Sequence, residues 1–203
     1  MRFTGHLDLQ RAWERTFRRA NLPMAFTQGY NPHARLQLGP ALPLGCTSEC
    51  ELVDIWLEGS LEPAEICERL ALAAPPGIRV AEVWQVDPGE AALQNQVTST
   101  EYTISLSPRA WPALEAAIAA LLAAESIERT RRGKDYDLRP LVESLSLEAV
   151  DPAGYRALRM TLASREGATG RPEEVLLQLG IDPTAQWIRR TRLLMPAHET
   201  PET

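Results

Sequence analysis

Basic side chains are concentrated in the first forty residues, with a spacing that suits anion binding. This stretch holds six arginines against two acidic residues, whereas the whole chain has a formal net charge of -6. Arg11, Arg15 and Arg18 recur every three or four residues, which places them on one face of a helix. A basic face on an acidic chain is where a polyanion such as RNA is expected to bind. The alternative interpretation is a solvated helix surface without a ligand.

A second concentration of functional side chains lies in residues 27–35, directly after that helix. Gln28 and Asn31 can hydrogen-bond a polar ligand, and the Tyr30 ring can stack on a nucleobase. Arg35 adds a positive charge at the end of the segment. A plain hairpin turn, built on the glycine and the Asn-Pro pair, is the alternative interpretation.

The second half of the chain repeats this composition between its middle strands. A glycine and a tyrosine again lie among basic side chains, and four of these we assign to nucleic-acid binding: Arg131, Arg132, Lys134 and Arg139. The recurrence favours a binding loop in each half of the chain.

His6 is a weak candidate for catalysis, as a general acid or base. A helix N-terminus disfavours the imidazolium form, so a neutral ring is expected there, but the sequence shows no partner for it. The three cysteines, Cys46, Cys50 and Cys67, lack the spacing of a zinc or iron–sulfur site. We therefore predict no metal and no cofactor, and a chain without catalytic activity of its own is favoured over an enzyme.

The elements that must position these residues follow from hydrophobic periodicity, which predicts an α+β fold. In the first half we predict helices at 6–20 and 63–73, with strands at 24–27, 36–38, 49–58 and 78–86. The second half has the order β-α-β-β-α-β with one extra strand among those predicted at 101–106, 126–132, 145–150, 155–164 and 187–195. The repetition predicts two tandem ferredoxin-like (split βαβ) domains, the first lacking its N-terminal strand.

The domain boundaries follow from where periodicity stops. We assign the first ferredoxin-like domain to residues 1–86, a linker to 87–100, the second domain to 101–196 and a disordered tail to 197–203. Hydrophobic segments are short and interrupted by charge, so no membrane partner is expected. The few, irregularly spaced cysteines and the absence of an apolar segment after Met1 predict a cytoplasmic protein.

Five short motifs carry a resemblance to a known family: His6-Leu-Asp-Leu, Arg18-Arg-Ala-Asn-Leu-Pro23, Gln28-Gly-Tyr-Asn-Pro32, Ala41-Leu-Pro-Leu-Gly45 and Asp137-Leu-Arg-Pro140. Together they resemble the radical SAM-linked proteins, a bacterial domain of unknown function found fused to, or encoded beside, radical S-adenosylmethionine (SAM) proteins. The resemblance covers nearly the whole chain and implies a radical SAM partner. The helix followed by Gly-Tyr-Asn-Pro also looks like the ferredoxin-like RNA-processing proteins of the CRISPR RAMP superfamily, which favours RNA as a ligand.

Three functions remain open at this point. The first is an accessory module that binds RNA, or presents a substrate, for a radical SAM partner in RNA modification or processing. The second is a metal-independent endoribonuclease of RAMP-like type, with His6 as acid or base and Arg11 or Arg35 stabilising phosphate charge. The third is a pure protein-interaction subunit whose incomplete first sheet accepts a strand from a partner.

Overall fold

The computed structural model describes residues 1–106, 113–152 and 154–196, and it forms two compact units. Unit 1 comprises Met1–Leu44 and Leu52–Leu93, and unit 2 comprises Gly45–Glu51 and Gln94–Thr203. Both units combine helices with sheet, so the predicted α+β class is confirmed. The tail predicted at residues 197–203 lies outside the described residues.

Unit 1 packs two helices on one side of a small antiparallel sheet. The helices are α1 (His6–Arg19) and α2 (Pro63–Ala73), and the strands are β1 (Leu36–Leu38) and β3 (Val53–Ile55), with Leu36 opposite Ile55. Residues 24–26 join this sheet through isolated bridges from Met24 to Leu57 and from Phe26 to Ala34. The core lies between the helices and the sheet, where Phe17, Met24, Ile66 and Leu70 are buried.

The sequence of α1 explains both its burial and its end. Trp13 and Phe17 lie one turn apart with their rings stacked at 5.3 Å, and they face the core. Asn21 follows the helix in the left-handed region, with φ of 49°. The N–H of Asn21 donates to the Arg18 carbonyl, and the N–H of Leu22 donates to the Phe17 carbonyl, at 3.1 and 3.2 Å. This is the Schellman arrangement that ends a helix, so the Arg-Arg-Ala-Asn-Leu-Pro motif has a structural role.

The strand predicted at residues 78–86 is wrong, because the structure has no strand there. Val80 and Val83 do pack against the core of unit 1, at a spacing of three rather than two. Within the described chain no neighbouring strand pairs with this segment, and a strand needs a ladder of backbone hydrogen bonds. The apolar residues therefore cover the core along an extended segment without joining a sheet.

Unit 2 is built on one main sheet with the order β2-β10-β4-β8-β7 and a short ninth strand beside β8. These strands are β2 (Cys46–Ser48), β4 (Ser99–Leu106), β7 (Val142–Val150), β8 (Arg156–Arg165), β9 (Ala168–Thr169) and β10 (Ile188–Leu194). The helices are α3 (Leu93–Gln96), which begins at the last residue of unit 1, then α4 (Leu114–Ala123) and α5 (Pro172–Gln178). The main elements β4, α4, β7, β8, α5 and β10 follow the order β-α-β-β-α-β. The tandem ferredoxin-like arrangement stays a prediction.

The strand predicted at residues 49–58 is also wrong in its extent. Within this region only Val53–Ile55 forms a strand, which is β3 of unit 1, whereas residues 49–51 follow β2 and belong to unit 2. β2 runs parallel to β10, with Cys46 opposite Ile188 and Ser48 opposite Arg190. The short segment 45–51 is thus part of the second sheet although the chain on both sides of it builds the first unit.

A buried arginine on β10 fixes this segment. Arg190 is 2% exposed, and its Nη1 donates to both carboxylate oxygens of Glu51, at 3.0 and 3.2 Å. Its Nε and Nη2 donate to the Tyr102 hydroxyl at 3.3 and 3.0 Å. Burial raises the pKa of that hydroxyl, which keeps it protonated. A buried guanidinium needs such partners, so Glu51 and Tyr102 together make its burial possible.

Candidate nucleic-acid interface

The arginine face of α1 is exposed and partly charge-balanced. Arg11, Arg15 and Arg18 are all exposed on the side of the helix opposite Trp13 and Phe17. Arg11 forms an ion pair with Asp8 at 3.4 Å, and the Arg15 Nε donates to the Arg11 carbonyl at 3.2 Å. Arg18 makes no side-chain hydrogen bond or ion pair with another described residue. Arg15 and Arg18 are therefore the two cations of this face without an acidic partner in the described chain.

The neighbouring Arg19 has a different role, which sequence reasoning missed. Its Nε and Nη2 donate to the Ala73 carbonyl at 3.1 and 2.7 Å, and Nη2 also donates to the Thr16 hydroxyl. Ala73 is the last residue of α2, so Arg19 joins the C-terminal ends of the two helices. A cation at two helix C-termini is favourable because the carbonyl ends carry partial negative charge.

The loop of residues 27–33 presents an exposed aromatic ring. The loop is closed at its base, where the Thr27 N–H donates to the His33 carbonyl at 2.9 Å and the His33 N–H donates to the Thr27 hydroxyl at 3.0 Å. Tyr30 at its tip is 101% exposed, and Gln28 and Asn31 are also exposed. A fully exposed tyrosine has no packing role within the fold, so its ring is available to a ligand.

The helix-free face of the unit 1 sheet carries four further polar or aromatic side chains. Leu36, Ile55 and Leu57 pack against the core, and strand alternation places the residues on either side of Leu36 and Ile55 on the opposite face. Those residues are Arg35, Gln37, Asp54 and Trp56. The Arg35 guanidinium lies over the Trp56 ring at 4.9 Å from its centroid. Burial and the nearby Glu90 carboxylate raise the pKa of Asp54.

The structure therefore places the α1 arginines and Arg35 on different faces of unit 1. The α1 arginines point away from the sheet on the helix side of unit 1, whereas Arg35 lies on the face without helices. Arg35 is instead grouped with Trp56, and it directly follows the loop that carries Tyr30. Trp56 was missed because it lies more than twenty residues after Arg35 in sequence and only backbone pairing brings the two together: the Trp56 N–H donates to the Arg35 carbonyl at 3.1 Å.

In unit 2 the predicted basic loop is a two-stranded hairpin. Its strands are β5 (Glu128–Arg131) and β6 (Lys134–Asp137), joined by Arg132 and Gly133, which have φ of 50° and 74°. Two positive φ values in succession are typical of the tight turn that suits hairpin twist. The turn brings Arg131, Arg132 and Lys134 together at one tip, where Arg132 and Lys134 are exposed.

The base of this hairpin is fixed by the Asp-Leu-Arg-Pro motif. The Asp137 carboxylate accepts from the N–H groups of Ile127 and Arg139 at 2.8 and 2.9 Å, and these bonds lower its pKa. Arg139 donates to the Leu122 carbonyl at 3.3 and 3.1 Å and to the Val142 carbonyl at 2.8 Å. Arg139 thus connects α4 to β7 through its guanidinium, which donates to backbone carbonyls of both elements.

His6 is the first residue of α1 and is exposed. It lies on the helix side of unit 1, away from the sheet face that carries Arg35. Among the described residues, no group of three or more His, Cys, Asp or Glu side chains is arranged to hold a metal ion. None of the helices in that part of the chain is long and apolar enough to cross a membrane.

Comparison with known proteins shows the family. A family model described as an uncharacterized protein conserved in bacteria (DUF2344) matches residues 1–172, so the chain belongs to this bacterial family. A search of curated proteins gives no match.

Proposed function

We propose that this member of the DUF2344 family is a non-catalytic RNA-binding module, with the helix-free sheet face of unit 1 and the loop of residues 27–33 as its binding surface. The observation that carries the proposal is the Arg35 guanidinium held 4.9 Å over the Trp56 ring, directly after a loop whose Tyr30 is fully exposed. Single-stranded RNA is recognised mainly by stacking its bases on aromatic rings and guanidinium planes.

Basic side chains elsewhere contribute phosphate contacts in this proposal. Arg15 and Arg18 on α1, and Arg131, Arg132 and Lys134 on the hairpin tip, attract the RNA backbone without reading its sequence. Gln28 and Asn31 add hydrogen bonds beside Tyr30. Bases are thus held by stacking while the phosphates are held by charge.

The partner we propose is a radical SAM protein, to which the module presents RNA for modification. The five motifs shared with the radical SAM-linked proteins support this partner. The same resemblance supports a tandem ferredoxin-like organisation, in which unit 1 is a reduced copy of the β-α-β-β-α-β order of unit 2.

Tyr30→Ala tests the binding surface. We expect it to weaken binding of labelled single-stranded RNA by about 1–3 kcal/mol, since one stacked base is lost, with little change in the salt dependence. Arg15→Ala/Arg18→Ala should instead reduce the slope of log K against log salt by about 1.4, from two lost phosphate contacts. Fluorescence anisotropy across a salt series measures both effects.

Tyr155→Ala is the matched control, because this tyrosine is 48% exposed and lies in unit 2, outside the proposed surface. It should bind RNA like the parent. Equal affinities of parent, Tyr30→Ala and Tyr155→Ala, with circular dichroism showing folded protein, would refute the RNA surface and favour a protein-interaction subunit.

A further inference from the structure

We propose that the helix-free sheet face of unit 1 selects a guanine base, with Asp54 and Gln37 as the residues that determine specificity; this rests on the RNA-binding function proposed above. Gln37 and Asp54 lie directly opposite each other in the antiparallel pairing of β1 and β3. Each is two residues from a member of the Arg35–Trp56 pair on the same strand face. Two residues along a strand span roughly 7 Å, about the reach of a purine ring.

The polar atoms of this pair are available to a ligand. Both side chains are half-buried, and within the described chain neither the Asp54 carboxylate nor the Gln37 amide forms a hydrogen bond with another residue. Because these groups are not engaged by other described residues, their donors and acceptors can pair with a ligand.

The negative charge of Asp54 and Glu90 disfavours phosphate at one end of this face. Glu90 lies close enough to Asp54 to raise its pKa, which places two carboxylates near one end of the face. Arg35 and the exposed loop of residues 27–33 lie at the other end. An RNA strand is therefore oriented with its backbone toward Arg35 and with a base edge toward Asp54.

Guanine is the base whose edge fits these groups. A carboxylate accepts at two oxygens, and guanine presents two adjacent donors, N1–H and the N2 amino group, on its Watson–Crick edge. The Gln37 amide can donate to the neighbouring O6. Adenine and cytosine each offer one donor beside a ring acceptor that would face the carboxylate, and uracil offers one donor between two carbonyls. Stacking of the base on the Arg35–Trp56 pair completes the site.

Oligonucleotide affinity tests the selection without any mutation. Fluorescence anisotropy should show that a labelled oligouridylate with one central guanosine binds the full chain about tenfold more tightly than the same oligomer with adenosine or uridine there. Inosine, which lacks only the N2 amino group, should lose most of that advantage. Equal binding of the guanosine and inosine oligomers would overturn the proposal.

Asp54→Asn and Glu90→Gln form the matched pair of variants. Asp54→Asn should remove the preference for guanosine, whereas Glu90→Gln removes a nearby charge and should keep the preference. If Trp56→Ala weakens binding of all oligomers but the parent shows no preference, RNA binding stands and guanine selection is overturned. If the parent binds none of them, both proposals are overturned.

Discussion

At the scale of single residues, Arg190 is a buried charge held by several side-chain hydrogen bonds. It is almost fully buried on β10, where it donates to Glu51 and Tyr102. The sequence does not indicate that Arg190 is buried, because it lies in a short run with Arg189 and Arg192. In the structure these two arginines are exposed. Strand alternation alone decides that Arg190 faces the core while Arg189 faces solvent.

Glu51→Gln should lower the free energy of unfolding by about 2 kcal/mol, because it leaves a buried guanidinium without a counter-charge. The value is below that of a fully buried pair, since the Glu51 side chain is 32% exposed. Urea denaturation measures it. Glu49→Gln is the control: its ion pair with Arg189 is exposed at 3.7 Å and should contribute less than about 1 kcal/mol. Similar losses in the two variants would contradict a special role for Arg190.

At the scale of elements, the two helices of unit 1 were predictable, whereas α3, inside the predicted linker, and several strands were not. The helix predicted at 63–73 coincides with α2, and the one predicted at 6–20 exceeds α1 by a single residue. Local apolar spacing and capping residues define a helix. A strand also needs a partner strand, which the local sequence pattern does not identify. The alternation at 78–86 therefore predicted a strand that the structure does not have. The β5–β6 hairpin was missed because its turn is Arg-Gly rather than the usual Asn-Gly.

Arg132→Asn should therefore raise the free energy of unfolding by about 0.5–1 kcal/mol, because asparagine tolerates positive φ better than arginine does. Thermal or urea unfolding measures the gain. The same change removes one cation from the hairpin tip and should reduce the salt slope of RNA binding by about 0.7. Gly133→Ala, at φ of 74°, should destabilise the hairpin instead. A loss of stability in Arg132→Asn would contradict the turn assignment.

At the scale of the whole molecule, the sequence identified candidate binding residues but not which of them lie on the same face. Tyr30 and the α1 arginines are exposed, as a binding role requires, but the α1 arginines do not form one continuous face with Arg35. Trp56 and Asp54 escaped notice because their relation to Arg35 and Gln37 exists only through strand pairing. The sequence also did not predict that the inserted segment 45–51 belongs to unit 2, since its partner strand β10 lies at the far end of the chain.

A chain cut between the predicted domains should be unstable in its second part. Residues 94–196 alone lack β2 and Glu51, so Arg190 loses its carboxylate and one edge of β10 loses its pairing. We expect amide hydrogen exchange at residues 188–194 to be faster in this fragment than in full-length Glu51→Gln, which retains β2. Exchange as slow as in the parent would show that unit 2 does not need the inserted segment.

The inserted segment also sets an order of events during synthesis. Glu51 precedes Arg190 by 139 residues, which corresponds to roughly 7–28 s of translation at typical rates. Residues 45–51 lack their partner strand during that interval, whereas the chain around them can already assemble α1, β1, β3 and α2. Their composition, Gly-Cys-Thr-Ser-Glu-Cys-Glu, is small and acidic, which keeps an unpaired strand from joining the wrong neighbour. In the nascent chain, β2 thus stays without its partner until β10, the last strand, has been synthesised.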